Sequence, residues 1–130
     1  MDDNMIAFAV KQFEKRQYER DYTYHEFLKD IREHNQRRPN EPFSQYRYIN
    51  ESYARALWNV LIMDMDEIVE RSRLNVAKFA RRFCIPFGTM QTWCEGRKEC
   101  PVYIKLMICE IMGLLPRRGR YISTFGEILY

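Results

Sequence analysis

The most distinctive side chains for nucleophilic, redox or metal chemistry in this sequence are four cysteines and two histidines. Cys84, Cys94, Cys100 and Cys109 include no pair separated by two residues, so zinc-ribbon and dithiol-redox spacings are absent. His25 and His34 lie far from them along the chain. The cysteines fall at positions that read as helical or core, and are expected to be reduced thiols of a cytoplasmic protein, with a disulfide framework as the lesser reading. There is no phosphate-binding glycine loop, no histidine pair on one helical face and no nucleophile elbow. Asp64 and Asp66 are ordinary acids of a helix start or linker, and His34 suits a helix C-terminus, where the dipole favours a cation. No enzyme is expected, and no cofactor or metal.

The remaining chemistry is that of a charged, hydrogen-bonding surface. The net charge of +3 over 130 residues is mild, but it is unevenly placed. Residues 1–63 carry ten basic and ten acidic side chains, while residues 64–130 carry eleven and eight. Within residues 74–120, Lys78, Arg81, Arg82, Arg97, Lys98, Lys105, Arg117, Arg118 and Arg120 face only Glu95, Glu99 and Glu110, a local +6. Such asymmetry points to a polyanionic partner; a solvated surface is the plainer account of a charge run by itself.

The elements that would hold these residues are helical. A hydrophobic share of 46% argues against disorder, and the length suits one core with an appended region. No apolar run reaches membrane-spanning length, and the start, Met1-Asp2-Asp3-Asn4, lacks the basic opening of a secretory signal. Ile6, Ala9, Val10 and Phe13 predict an amphipathic helix over residues 4–20. Thr23 and Glu26 form a capping-box pattern ahead of Tyr24, Phe27, Leu28 and Ile31, a second helix to about Asn35. Pro39 and Pro42 break the chain into a loop, and residues 43–49 alternate weakly, as a short strand or an extended arm.

A third helix opens at Asn50 or Ser52, with Tyr53, Ala54, Leu57, Trp58, Leu61 and Ile62 as its apolar face. The phase changes near Asp64, before Met65, Ile68 and Val69. Asn75 caps the next helix, and Cys84-Ile85-Pro86 leads to another over residues 87–95. Gly96 is placed to end it in a left-handed conformation. Pro101 suits the first turn of a last helix, residues 102–112, with Gly113 as its stop. Leu106, Met107, Ile108 and Ile111 make that helix apolar over much of its circumference, which predicts a central position.

Two short helices joined by a three- or four-residue turn form a helix-turn-helix. Residues 76–93 resemble that unit in the XRE (Cro-like, phage-repressor) family of transcriptional regulators. Ala80 stands at the small site where the helices cross, and Phe79, Phe83 and Ile85 match the apolar positions beneath the turn. Met90 and Trp93 match inward positions of the second helix, and Trp93-Cys94-Glu95-Gly96-Arg97-Lys98 matches the tryptophan, acid, glycine and basic pair. The likeness covers about residues 64–113. It implies an all-α fold and double-stranded DNA as partner, with the second helix in the major groove. It assigns base or phosphate contacts to Thr89, Gln91 and Thr92, and backbone phosphates to Arg97, Lys98, Lys78, Arg81 and Arg82. Phe87 and Gly88 also fall on the outward side.

The sequence departs from the family at several points. Cys84 stands where glycine is common, Pro86 where a polar cap is usual, and Gly88 where a reading side chain belongs. The outward face holds no Arg, Lys or Asn, so phosphate contact is expected to exceed base reading.

The expected organisation is an N-terminal helical and aromatic region over residues 1–49, a helix-turn-helix domain over 50–115 and a basic, then apolar, tail over 116–130. Tyr18, Tyr22, Tyr24, Tyr46, Tyr48 and Tyr53 suit a dimerisation or partner-binding surface, unless they serve as core. The expected function is that of a repressor-like DNA-binding regulator, as a possible homodimer. The alternative is a protein-interaction module or inhibitor from a phage or mobile element, an anti-CRISPR protein for example, with a protein or ribonucleoprotein partner.

Overall fold

The computed structural model describes residues 3–36 and 50–116, which form helices and the turns between them. The fold is all-helical, with no strand among the described residues. The expected loop from Arg37 onward, the strand or arm over 43–49 and the tail beyond Pro116 lie outside them. The chain divides into two compact units, and the division falls between Trp58 and Asn59, inside one helix.

The first unit holds α1 (Asp3–Arg16), α2 (Tyr24–Gln36) and the first part of α3 (Glu51–Ile62). α1 packs on α2 through Met5, Ile6, Ala9 and Phe13 on one side and Phe27, Leu28 and Ile31 on the other, all buried. α1 ends at Arg16 rather than near residue 20. The chain turns there, and the Arg16 side chain braces the turn on several sides. Its guanidinium bonds Asp30 at 2.7 Å and Glu19 at 2.9 Å, and lies 4.6 Å over the Tyr22 ring. The turn delivers Tyr22 to Trp58, whose indole also meets Phe13 edge-on and Phe27 at 5.3 Å.

The tyrosines therefore divide. Tyr22 and Tyr24 pack around Trp58, Tyr53 is buried, and Tyr18 is 78% exposed. Tyr46 and Tyr48 lie outside the described residues. Of the two capping candidates for α3, Asn50 is the cap: its Oδ1 accepts the Tyr53 amide at 3.0 Å, while Ser52 sits inside the helix.

The second unit, residues 59–115, holds the end of α3, α4 (Met65–Ser72), α5 (Val76–Arg82), α6 (Phe87–Cys94) and α7 (Val102–Ile111). The expected break falls at Met63 and Asp64. α4, α5 and α6 pack on one another around Met65, Ile68, Val69, Phe79, Ala80 and Met90, each nearly or fully buried. Burying the methionine, isoleucine, valine and phenylalanine side chains among these contributes about 1.5–3 kcal/mol each relative to leaving them exposed.

The expectation for the last helix is corrected. α7 buries Ile108 and Cys109, but Tyr103, Met107 and Ile111 are 68%, 54% and 64% exposed. These three recur every fourth residue and so form one stripe along the helix. Apolar composition around a helix does not tell which side finds a neighbour, and this stripe is left largely uncovered by the described residues. Pro101 occupies the cap position, with φ −53° and ψ 136°, one residue before the first turn.

Candidate nucleic-acid interface

The site is built on two short helices and the four residues between them. α5 starts under Asn75, whose Oδ1 accepts the Lys78 amide at 2.8 Å. It ends in a Schellman motif. The Ile85 amide donates to the Ala80 carbonyl at 2.9 Å, and the Cys84 amide to the Arg81 carbonyl at 3.2 Å. This closure puts Cys84 at φ 55°, in the left-handed region. The position where the resemblance to that family expects glycine is left-handed, and a cysteine occupies it.

Ala80 is 1% exposed, as a helix-crossing position requires. Phe79 is fully buried, and its ring lies 4.8 Å from that of the half-buried Phe83. Pro86 opens α6 with no side-chain cap. A second Schellman motif closes α6: the Gly96 amide reaches the Trp93 carbonyl at 3.1 Å and the Arg97 amide the Thr92 carbonyl at 3.1 Å. Gly96 stands at φ 73°, as expected.

α6 turns Met90 fully inward, and Phe87, Gly88, Thr89 and Gln91 are exposed. Trp93, expected to point inward like Met90, is only half-buried. Thr89, Thr92, Arg97 and Lys98 come together with Gly88 and Trp93 around a hollow of about 470 Å³. Gln91 does not line it. Lys78, Arg81 and Arg82 are exposed on α5. Gly88 and Trp93 went unassigned in the sequence as parts of this wall. The signal was present, since 88 and 92, and 89 and 93, are four apart on one helix.

Two expected contact residues are already engaged. The Thr92 hydroxyl donates to the Gly88 carbonyl at 2.8 Å, which leaves it to act as an acceptor or to present its methyl group. Arg97 pairs with Glu95 at 2.9 Å, but both are well exposed, so the pair is weak and exchangeable. Lys78, Arg81, Arg82 and Lys98 make no ion pair among the described residues.

Three of the four thiols, Cys94, Cys100 and Cys109, are poorly suited to nucleophilic chemistry. Burial pushes Cys100 and Cys109 up to about 11 and raises Cys94 as well. Burial lowers the pKa of Lys105, whose Nζ donates to the Leu61 carbonyl at 2.9 Å. All four cysteines are free.

No protein-family model, curated protein or solved structure matches the chain. Among the described residues, no helix is long and apolar enough to cross a membrane.

Proposed function

We propose that this chain is a cytoplasmic, non-enzymatic DNA-binding protein of the repressor type, in which α5, the turn and α6 act as a helix-turn-helix on double-stranded DNA. The observation that carries this reading is the set of exposed cations, Lys78, Arg81, Arg82 and Lys98, that make no ion pair among the described residues and lie on α5 and just after α6, whose first residues are exposed. In this reading α6 enters the major groove, and the cations meet phosphates on either side and release counterions. Arg97 joins them by exchanging Glu95 for a phosphate. Base contact is limited to Gln91, which can offer an amide to adenine, and to Thr89. A homodimer would present two such helices to successive grooves. The test is duplex binding by the full chain and by a Lys78→Ala, Arg81→Ala, Arg82→Ala, Lys98→Ala variant. Loss of binding in the variant, with its helix content kept, supports the reading; equal binding by both contradicts it.

A second reading rests on a different observation. Phe87, Tyr103, Met107 and Ile111 are each at least half exposed in the same unit, more apolar surface than phosphate contact uses. That favours a protein-interaction module or inhibitor, of the kind phages and mobile elements carry, with a protein or ribonucleoprotein partner. A defined partner lost on Met107→Asp substitution, together with an absence of duplex binding, would support it over the first.

A further inference from the structure

The hollow beside α6 combines three chemistries in one place. Trp93 offers a partly exposed indole. Among the described residues, Lys98 offers an ammonium with no ion pair, and Arg97 a guanidinium paired with the exposed Glu95. Thr89 offers an exposed hydroxyl. The space beside Gly88 is clear, because a Cβ built there would meet nothing within 4 Å. A hollow of about 470 Å³ also exceeds what a single side chain or phosphate needs.

A paired base shows the protein only its edge, because its faces are stacked on its neighbours. An aromatic wall in a basic hollow therefore has little use for an intact duplex. A nucleotide out of the stack presents both a free π-face and a phosphate, and aromatic stacking within a basic groove is how unpaired strands are held. The poverty of α6 in base-reading side chains agrees with this, since stacking is indifferent to sequence.

We propose that this hollow receives one unpaired nucleotide of a DNA strand, its base against Trp93 and its phosphate at Arg97 and Lys98. The proposal rests on the DNA-binding reading above and extends it: the cations of α5 can hold a paired segment, while the hollow adds affinity for a single-stranded or bulged nucleotide that a fully paired duplex does not offer.

The test uses the full chain with three probes: an oligothymidylate about eight nucleotides long, a blunt duplex of the same length, and thymidine monophosphate. Tryptophan emission and affinity are followed together, with Trp58 as a constant background. The oligothymidylate should quench emission and bind about tenfold more tightly than the duplex. Trp93→Phe should abolish the quenching while keeping most of the affinity, and Trp93→Leu should lose about tenfold. Lys98→Ala, a surface change that leaves the helix intact, should weaken oligothymidylate binding as well. Equal affinity for strand and duplex without quenching overturns the proposal and leaves duplex binding standing. Thymidine monophosphate binding as tightly as the oligothymidylate overturns the assignment to a strand. Binding of none of the three removes both readings.

Discussion

The Ile85 amide donates to the Ala80 carbonyl at 2.9 Å, and that bond forces the residue before Ile85, Cys84, to φ 55°. The turn between α5 and α6 is thus closed through a residue that carries a Cβ where glycine would be unstrained. A left-handed conformation costs an ordinary L-residue about 1–2 kcal/mol, partly offset by the greater entropy glycine loses on folding.

Cys84→Gly should therefore stabilise the second unit by about 0.5–1 kcal/mol, and Cys84→Val should destabilise it by more than that. Urea midpoints of the two variants against the parent give the answer. A glycine variant less stable than the parent would mean that the turn is not left-handed in solution.

Trp58 is the hub of the first unit, with Phe13, Tyr22, Tyr24 and Phe27 around its indole. Trp58→Ala should cost about 3 kcal/mol, enough to leave this small unit largely unfolded. Circular dichroism should show the loss of helix. A change below about 1 kcal/mol would contradict the packing described.

The thiols set an alkaline limit. Burial holds Cys100 and Cys109 protonated up to about 11, against 9.0 for a free thiol. Below 9 these groups are protonated whether the chain is folded or not. Between 9 and 11 the unfolded chain sheds those protons and the folded chain keeps them, so stability falls as pH rises. Lys105 works in the opposite sense, since its folded pKa is lowered from 10.5 and it loses its proton first when folded. Cys109→Ala removes one thiol and leaves Lys105 in place, so comparing it with the parent isolates the thiol's part. Under a reducing agent, the urea midpoint should drop between about pH 8 and about pH 10.5, and drop less in Cys109→Ala. An unchanged drop in that variant would place its cause elsewhere.

Local chemistry was legible in the sequence. Asn75 caps α5, Gly96 ends α6, Gly113 stands at φ 79° after α7, and the phase change at Asp64 is a true break. Each is decided by a few neighbouring residues, so no distant contact could overrule it. The misread features depend on partners. Met107 and Ile111 looked central because apolar spacing names a face but not what covers it. Trp93 looked buried for the same reason. α1 stops at Arg16, whose guanidinium pairs with Asp30, fourteen residues on, and no local pattern announces that pairing. Of the expected DNA contacts, Thr89, Thr92, Arg97 and Lys98 share one hollow, while Lys78, Arg81 and Arg82 lie on the preceding helix. Thr92 bonding to Gly88 and Arg97 to Glu95 are the details that spacing alone left hidden.

The most direct test of the central claim is the salt dependence of duplex binding by the full chain. Four or five phosphate contacts, by Lys78, Arg81, Arg82, Lys98 and Arg97, predict that log K falls against log salt with a slope of about −4. The Arg97→Ala, Lys98→Ala double variant should reduce that slope by about 2 units. No binding at about 50 mM salt, or an affinity that does not change with salt, would contradict the assignment of this basic surface to DNA.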